Sequence, residues 1–203
     1  MEYITLSKEA EVSFIEKKSE FIGHAAPVKT EEAAMEFINK IRKRYGDATH
    51  NCYAYMLANG SARYSDDGEP QGTAGVPILS VIQKGGFTDA VIVVTRYFGG
   101  ILLGAGGLVR AYSASARDAV AAAKIVTYAE YTEFNVLCSY SDYQKLIPVI
   151  SQLGVKEDAS EFTDTVSLSL AAKPDVFRLF CDKIAEMGAG RITVTETGKR
   201  FSE

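Results

Sequence analysis

Apolar and polar positions alternate with two different periods along the chain, and the order of those periods predicts mixed helix and strand throughout. VSFIEKKSEFIGHAAPV, residues 12–28, has the alternation and the β-branched and aromatic content of one strand or a short hairpin, interrupted around Lys17 to Glu20. Thr30 then stands as an N-cap before EEAAMEFINKIRKRYG, where Ala34, Phe37, Ile38 and Ile41 recur at helical spacing. Two glutamates open that helix and basic residues close it before Gly46. ATHNCYAYMLANG reads as a strand with a turn at Asn59-Gly60, and SARYS as its short continuation. VPILSVIQKGG predicts a short helix ending at Gly85-Gly86, and AVIVVTRYF a central strand apolar on both faces. An alanine-rich helix follows, starting between Leu103 and Leu108, because the glycines before it disfavour a helix interior.

From about Tyr128 the pattern becomes strand YTEFNVLCSY, helix SDYQKLIPVISQLG, strands VKEDASEF and TVSLSLAA, helix PDVFRLFCDKIAEMG and strand RITVTET. This is βαββαβ, the ferredoxin-like split. Ser141 with Gln144 is expected to form a capping box, Pro174 to occupy a first turn, and Gly154 and Gly188 to close the two helices. Pro148 interrupts the first of these helices and is expected to kink it. The reading is therefore an α+β chain of two domains, residues 1–128 and 129–203, joined where no Gly/Pro/Ser-rich linker appears.

Charge changes this picture in one respect. Through Tyr128 there are 14 Lys+Arg against 14 Asp+Glu, and the remainder has 8 against 12, so the net charge of −4 belongs to the second part. An acidic second domain is poorly suited to sequence-independent nucleic-acid binding, which depends on phosphate neutralisation, so any such contact needs a local basic patch. The KIRKRY cluster is one, although cations at the end of a helix also complement its dipole, and that reading is favoured. Cys52, Cys138 and Cys181 are far apart with no C-x-x-C pair, as in a reducing compartment. The N-terminus lacks a signal-peptide pattern and no apolar run reaches the length of a membrane helix, so the expectation is a cytoplasmic protein with no membrane partner.

Candidate chemistry concentrates between Arg63 and Tyr112. TRYFGGILLGAGGLVR places Gly99, Gly100, Gly104, Gly106 and Gly107 between a buried strand and a helix, flanked by Arg96 and Arg110. Free backbone N–H groups at such a helix start suit a phosphate or carboxylate, and glycine lets a ligand approach the main chain. The spacing fits neither a P-loop nor a dinucleotide fingerprint. RYSDDGEP supplies Asp66, Asp67 and Glu69 within four residues, from which two carboxylates reach one hard cation, though turn chemistry alone also accounts for them and is favoured. His50 near that turn makes His50, Asp66 and Asp67 weak candidates for a metal site suited to hydrolysis; a hydrogen-bonded structural histidine is the favoured alternative. Cys52 is a weak candidate nucleophile, and no residue is assigned as catalytic.

KKSEFIGHAAPV, THNCYAY, RYSDDGEPQGTAG and VVTRYFGGILLGAGGLVRAYS together resemble the signature of the YigZ/IMPACT family, over the whole chain. The resemblance implies an N-terminal α/β domain similar to domain IV of the translocation elongation factor and to a domain of a small-subunit ribosomal protein. It implies a ferredoxin-like C-terminal domain similar to domain V of that factor. Its motif falls on His24, His50, Asn51, Arg63, Ser65, Asp66, Asp67, Glu69, Pro70, Thr73, Arg96, Phe98, Gly99, Gly100, Gly104, Gly106, Gly107 and Arg110. The expected function is a non-enzymatic, translation-related binding protein without a cofactor. Arg63, the acidic turn, Thr73, Arg96, the glycines and Arg110 would hold RNA, a ribosome-associated factor or a protein partner in translation control. The alternative expectation is a metal-dependent hydrolase acting on a small phosphorylated substrate.

Overall fold

The computed structural model describes residues 2–188 and 191–202, which divide into two compact units, residues 3–127 and residues 128 onward with Glu2. The first unit is built on an antiparallel sheet ordered β2-β3-β6-β4-β5, from β2 (Ala10–Glu16), β3 (Ser19–Pro27), β4 (His50–Met56), β5 (Ala62–Ser65) and β6 (Ala90–Tyr97). β1 (Glu2–Leu6) precedes them and contributes Leu6 to the core. β2 and β3 form a hairpin whose turn residues, Lys17 and Lys18, both have positive φ (46° and 68°), so the interruption read there is a tight two-residue turn made without glycine.

Strand alternation sorts the core into two layers. Val91 and Val93 of β6 and Tyr53 and Tyr55 of β4 face α1 (Glu31–Arg44), whose Ala34, Phe37, Ile38 and Ile41 cover them. Ile92 and Val94, with Cys52 and Ala54, face the opposite side, under α2 (Gly75–Gly85) and α3 (Ala105–Ala123). β6 is thus buried on both faces, as its unbroken apolar run requires. Thr30 caps α1 by accepting from the Ala33 N–H, and α2 ends on Gly86 in the left-handed region. α3 lies so close to β3 that a Cβ on Gly23 would sit 2.5 Å from the Ser115 carbonyl oxygen.

The second unit is ordered β10-β7-β9-β8 and antiparallel throughout. Its elements are β7 (Ile125–Cys138), α4 (Tyr140–Leu153), β8 (Lys156–Phe162), β9 (Val166–Ala172), α5 (Pro174–Gly188) and β10 (Thr193–Ser202). The βαββαβ order with the last strand beside the first is the ferredoxin-like arrangement. Phe134, Val136, Leu168 and Leu170 on the sheet meet Leu146, Ile150, Phe180 and Ile184 from the helices. The α4 cap differs from the expected Ser141–Gln144 box: Ser139, two residues earlier, accepts from the Asp142 N–H and donates to the Asp142 carboxylate. Asp142 in turn draws on Lys145 and Arg191, a set of partners that Gln144 would not find. Pro148 lies within α4, which runs on through it to the left-handed Gly154. Pro174 opens α5 as expected; the residues just after Gly188 lie outside those described.

Candidate functional site

The site begins as a row across three strands. His50 of β4 stands directly opposite Arg96 of β6, and Arg96 opposite Phe21 of β3. All three share the alternation phase of Cys52 and Val94, so they lie on the α2/α3 face. His24 and Asn51 have the other phase, and the two histidines therefore occupy opposite faces of the sheet. His24 is 1% exposed; its Nε2 lies 3.2 Å from the Thr95 hydroxyl, which donates to Asn51 Oδ1, while its Nδ1 lies 3.3 Å from Glu11. Burial lowers its pKa to about 4 against the opposing pull of Glu11.

The acidic turn completes the row from above. Asp66 does not bind outward: its carboxylate accepts from the backbone N–H groups of Gly72, Ala74 and Gly75 at 2.8, 3.0 and 2.8 Å, fixing the loop that starts α2. Asp67, held at positive φ, is engaged by Arg42 at 2.8 Å and by the Asn51 N–H at 2.7 Å. Its carbonyl takes a hydrogen bond from His50 Nδ1 at 2.8 Å. Because a carbonyl only accepts, Nδ1 carries a proton, and the ring turns Nε2 toward Glu69. Gly68 beside the imidazole takes φ 89°, a conformation that residues with a side chain rarely adopt.

With both aspartates committed to the loop, Glu69 is the carboxylate delivered to the site. It is 7% exposed and pairs through Oε1 with Arg96 at 2.6 Å and with the Tyr112 hydroxyl at 2.8 Å, 3.8 Å from His50 Nε2. Oε2 receives no hydrogen bond from the described residues. Arg96, 5% exposed, spends its other terminal nitrogen on Ser19 at 3.3 Å. Its guanidinium carbon lies 5.4 Å from the Phe21 ring centre and 5.5 Å from that of Phe98, and its Nε is buried without a partner. Burial, with Cys52 and Glu69 adding to it, raises the Tyr112 pKa, so this hydroxyl stays a donor. Burial also pushes the Cys52 thiol up; it donates to the Asp66 carbonyl at 2.9 Å, which removes it as a nucleophile.

These groups floor a cleft of about 390 Å³ walled by Phe98, Leu102, Leu103, Leu108 and the Gly104-Ala105 start of α3. Gly104 caps α3 at φ 71° with no side-chain hydrogen bond, and the first helical bond runs from Leu108 N–H to Gly104. The N–H groups of Ala105, Gly106 and Gly107 consequently have no intrahelical acceptor. Gly99 and Gly100 act differently. Gly99 passes so close to Lys18 that a Cβ would overlap its carbonyl, and its N–H donates to Ser19; Gly100 takes φ 83°. Both shape the loop that carries Phe98 and Leu102, the latter 83% exposed.

The remaining expected residues scatter. Arg63 is exposed on the edge strand β5, and Thr73 is buried with its hydroxyl donating to the Pro70 carbonyl. Arg110 is exposed in a neighbouring cleft of about 280 Å³ with Lys17, on the other side of Leu103, so Arg96 and Arg110 do not flank one common surface. Among the described residues no group of three or more His, Cys, Asp and Glu side chains is placed to hold a metal ion, and the candidate set His50, Asp66 and Asp67 is not assembled. Sequence reasoning named neither Tyr112 nor Ser19 as part of the site. The signal for Tyr112 is present: it is the one aromatic residue in the Leu108, Ala111, Ser115, Ala116, Ala119 stripe of α3.

The family described as Impact N-terminal domain matches residues 17–120, which include every residue of this site, and the Domain of unknown function (DUF1949) matches residues 136–191. The IMPACT family member YigZ of Escherichia coli (strain K12) is 33% identical over 180 residues, covering 87% of this chain and 88% of that protein. The IMPACT family member YvyE of Bacillus subtilis (strain 168) is 50% identical over 118 residues, 57% of this chain and 54% of that protein. A crystal structure titled only as that of a hypothetical protein covers 97% of both chains at 30% identity with a TM-score of 0.61. Among the described residues, no helix is long and apolar enough to cross a membrane.

Proposed function

The chain belongs to the IMPACT family, and from that premise we propose that it is a non-enzymatic, translation-related binding protein that holds an RNA phosphate in the glycine-rimmed cleft. The observation that carries this reading is the uncapped start of α3 at the rim of that cleft. Three backbone N–H groups and the positive end of a 19-residue helix favour an anion there. Gly104 keeps a side chain out of its way at the cleft rim, while Gly107 packs against Leu103. A polyanion suits the surroundings better than an isolated ion, because Lys17 and Arg110, with the Glu16 carboxylate beside them, line the cleft just past Leu103. Arg96 supports the site from below: paired with Glu69, it fixes the floor and does not reach out to a phosphate.

The test exploits the helix dipole. Ala105→Asp places a carboxylate at the first helical position, where it leaves α3 as stable or slightly more so, by about 0.3–1 kcal/mol. The same charge repels an incoming phosphate. Expected are unchanged or raised thermal stability, RNA affinity reduced about 10-fold or more, and, for Arg110→Ala, a salt slope lower by about 1. RNA affinity unaltered by both substitutions would remove the reading. The hydrolase alternative retains His50 Nε2 and Glu69 as an acid–base pair, but among the described residues no metal set is assembled. Turnover of a small phosphate ester by the protein, abolished by a chelator, would favour it.

A further inference from the structure

We propose that Glu69 Oε2 receives the proton of a ribose 2′-hydroxyl beside His50, so that the cleft distinguishes ribonucleotide from deoxyribonucleotide; this rests on the RNA-phosphate reading above. The argument starts from the polarity of the cleft, whose two ends differ. The α3 start offers only donors, the backbone N–H groups. The floor offers an acceptor: Glu69 Oε2, a carboxylate oxygen without a hydrogen bond from the described residues on a side chain that is only 3% exposed. A phosphate satisfies the first end and is repelled by the second. The ligand must therefore bring a hydrogen-bond donor beside its anion.

In a nucleic acid the donor nearest a phosphate along the chain is the 2′-hydroxyl, and only RNA has it. The arrangement around Glu69 holds the acceptor in place. Arg96 and Tyr112 both bind Oε1, which neutralises the carboxylate and leaves Oε2 as the oxygen not yet used. His50 Nε2, 3.8 Å from Oε1, borders the same part of the cleft floor. A deoxyribose at this place displaces water from Oε2 and returns no donor, and a site built to bond a hydroxyl strongly rejects the analogue lacking it.

The experiment compares a short single-stranded oligouridylate with its deoxyuridine and 2′-O-methyl counterparts on the wild-type protein at one fixed salt concentration. Single strands of one base remove duplex shape and base identity as sources of preference. Expected is RNA binding about 10-fold or more tighter than either counterpart, with Glu69→Gln, which replaces the accepting oxygen by a donor, narrowing the gap. Equal binding of the three oligomers would overturn the 2′-hydroxyl assignment and leave the phosphate reading standing. Binding of none of them would overturn both. An RNA preference undiminished in Glu69→Gln, verified as folded by circular dichroism, would locate the discrimination elsewhere and also overturn the assignment.

Discussion

Glu69 and Arg96 form an ion pair that is almost wholly removed from water, at 3% and 6% side-chain exposure. Such a pair adds little net stability over an apolar pair, but breaking it from one side strands a buried charge. Arg96→Ala is accordingly expected to destabilise the protein by about 3–5 kcal/mol, read as a lower urea midpoint. The double variant Arg96→Met/Glu69→Gln should recover much of that loss, and a double variant no more stable than the single one would contradict the account. Cys52 gives a second check: its buried, raised-pKa thiol should resist alkylation in the native protein and react only on unfolding, by intact mass. The positions of the acidic turn and the glycine loop were legible in the sequence, because charge and backbone freedom are local properties. What each carboxylate does was not. Asp66 and Asp67 have the same composition signal as Glu69, and only the approach of the Gly72–Gly75 amides and of Arg42 shows that they are committed to the loop.

At the scale of elements, periodicity located the helices and the core strands, since burial of one face writes itself into the spacing of apolar residues. The elements that escaped it depend on contacts absent from local sequence. β1 has too few residues to show a period, and the α4 cap was settled by Asp142 finding Lys145 and Arg191. Two substitutions test how these elements are held. Pro148 is exposed in the interior of α4, where it lacks an N–H, so Pro148→Ala should stabilise the second unit by about 1–3 kcal/mol. An unchanged melting temperature would mean that α4 is already shaped around the proline. Gly23→Ala should do the opposite in the first unit, by about 1–3 kcal/mol or more, because its methyl meets the α3 backbone at Ser115.

For the whole molecule, the two units have separate cores and should respond differently to acid. His24 in the first unit is held near 4 by burial, below its usual 6.5, so the folded state binds fewer protons than the unfolded chain between those values. Its contribution is present above pH 6.5 and is lost as the pH falls toward 4, by up to about 3 kcal/mol. Thermal scans from pH 7 to 4 should show the first unit weakening, and a His24→Gln variant that remains folded should show a shallower decline. An equally steep decline would place the acid sensitivity elsewhere. The α+β class and the ferredoxin-like order were readable from the sequence of elements alone, whereas the cleft was not. It depends on β4, β6, the acidic turn and the start of α3 meeting in one place, and no local pattern encodes that meeting. The central claim is that this meeting place holds an anion. Its most direct test is an amide NMR titration of the ¹⁵N-labelled protein with a short single-stranded RNA. The account predicts the largest shifts at Ala105, Gly106 and Gly107 and at the loop residues around Gly68 and Glu69; shifts confined to other surfaces, or none at saturating RNA, would contradict it.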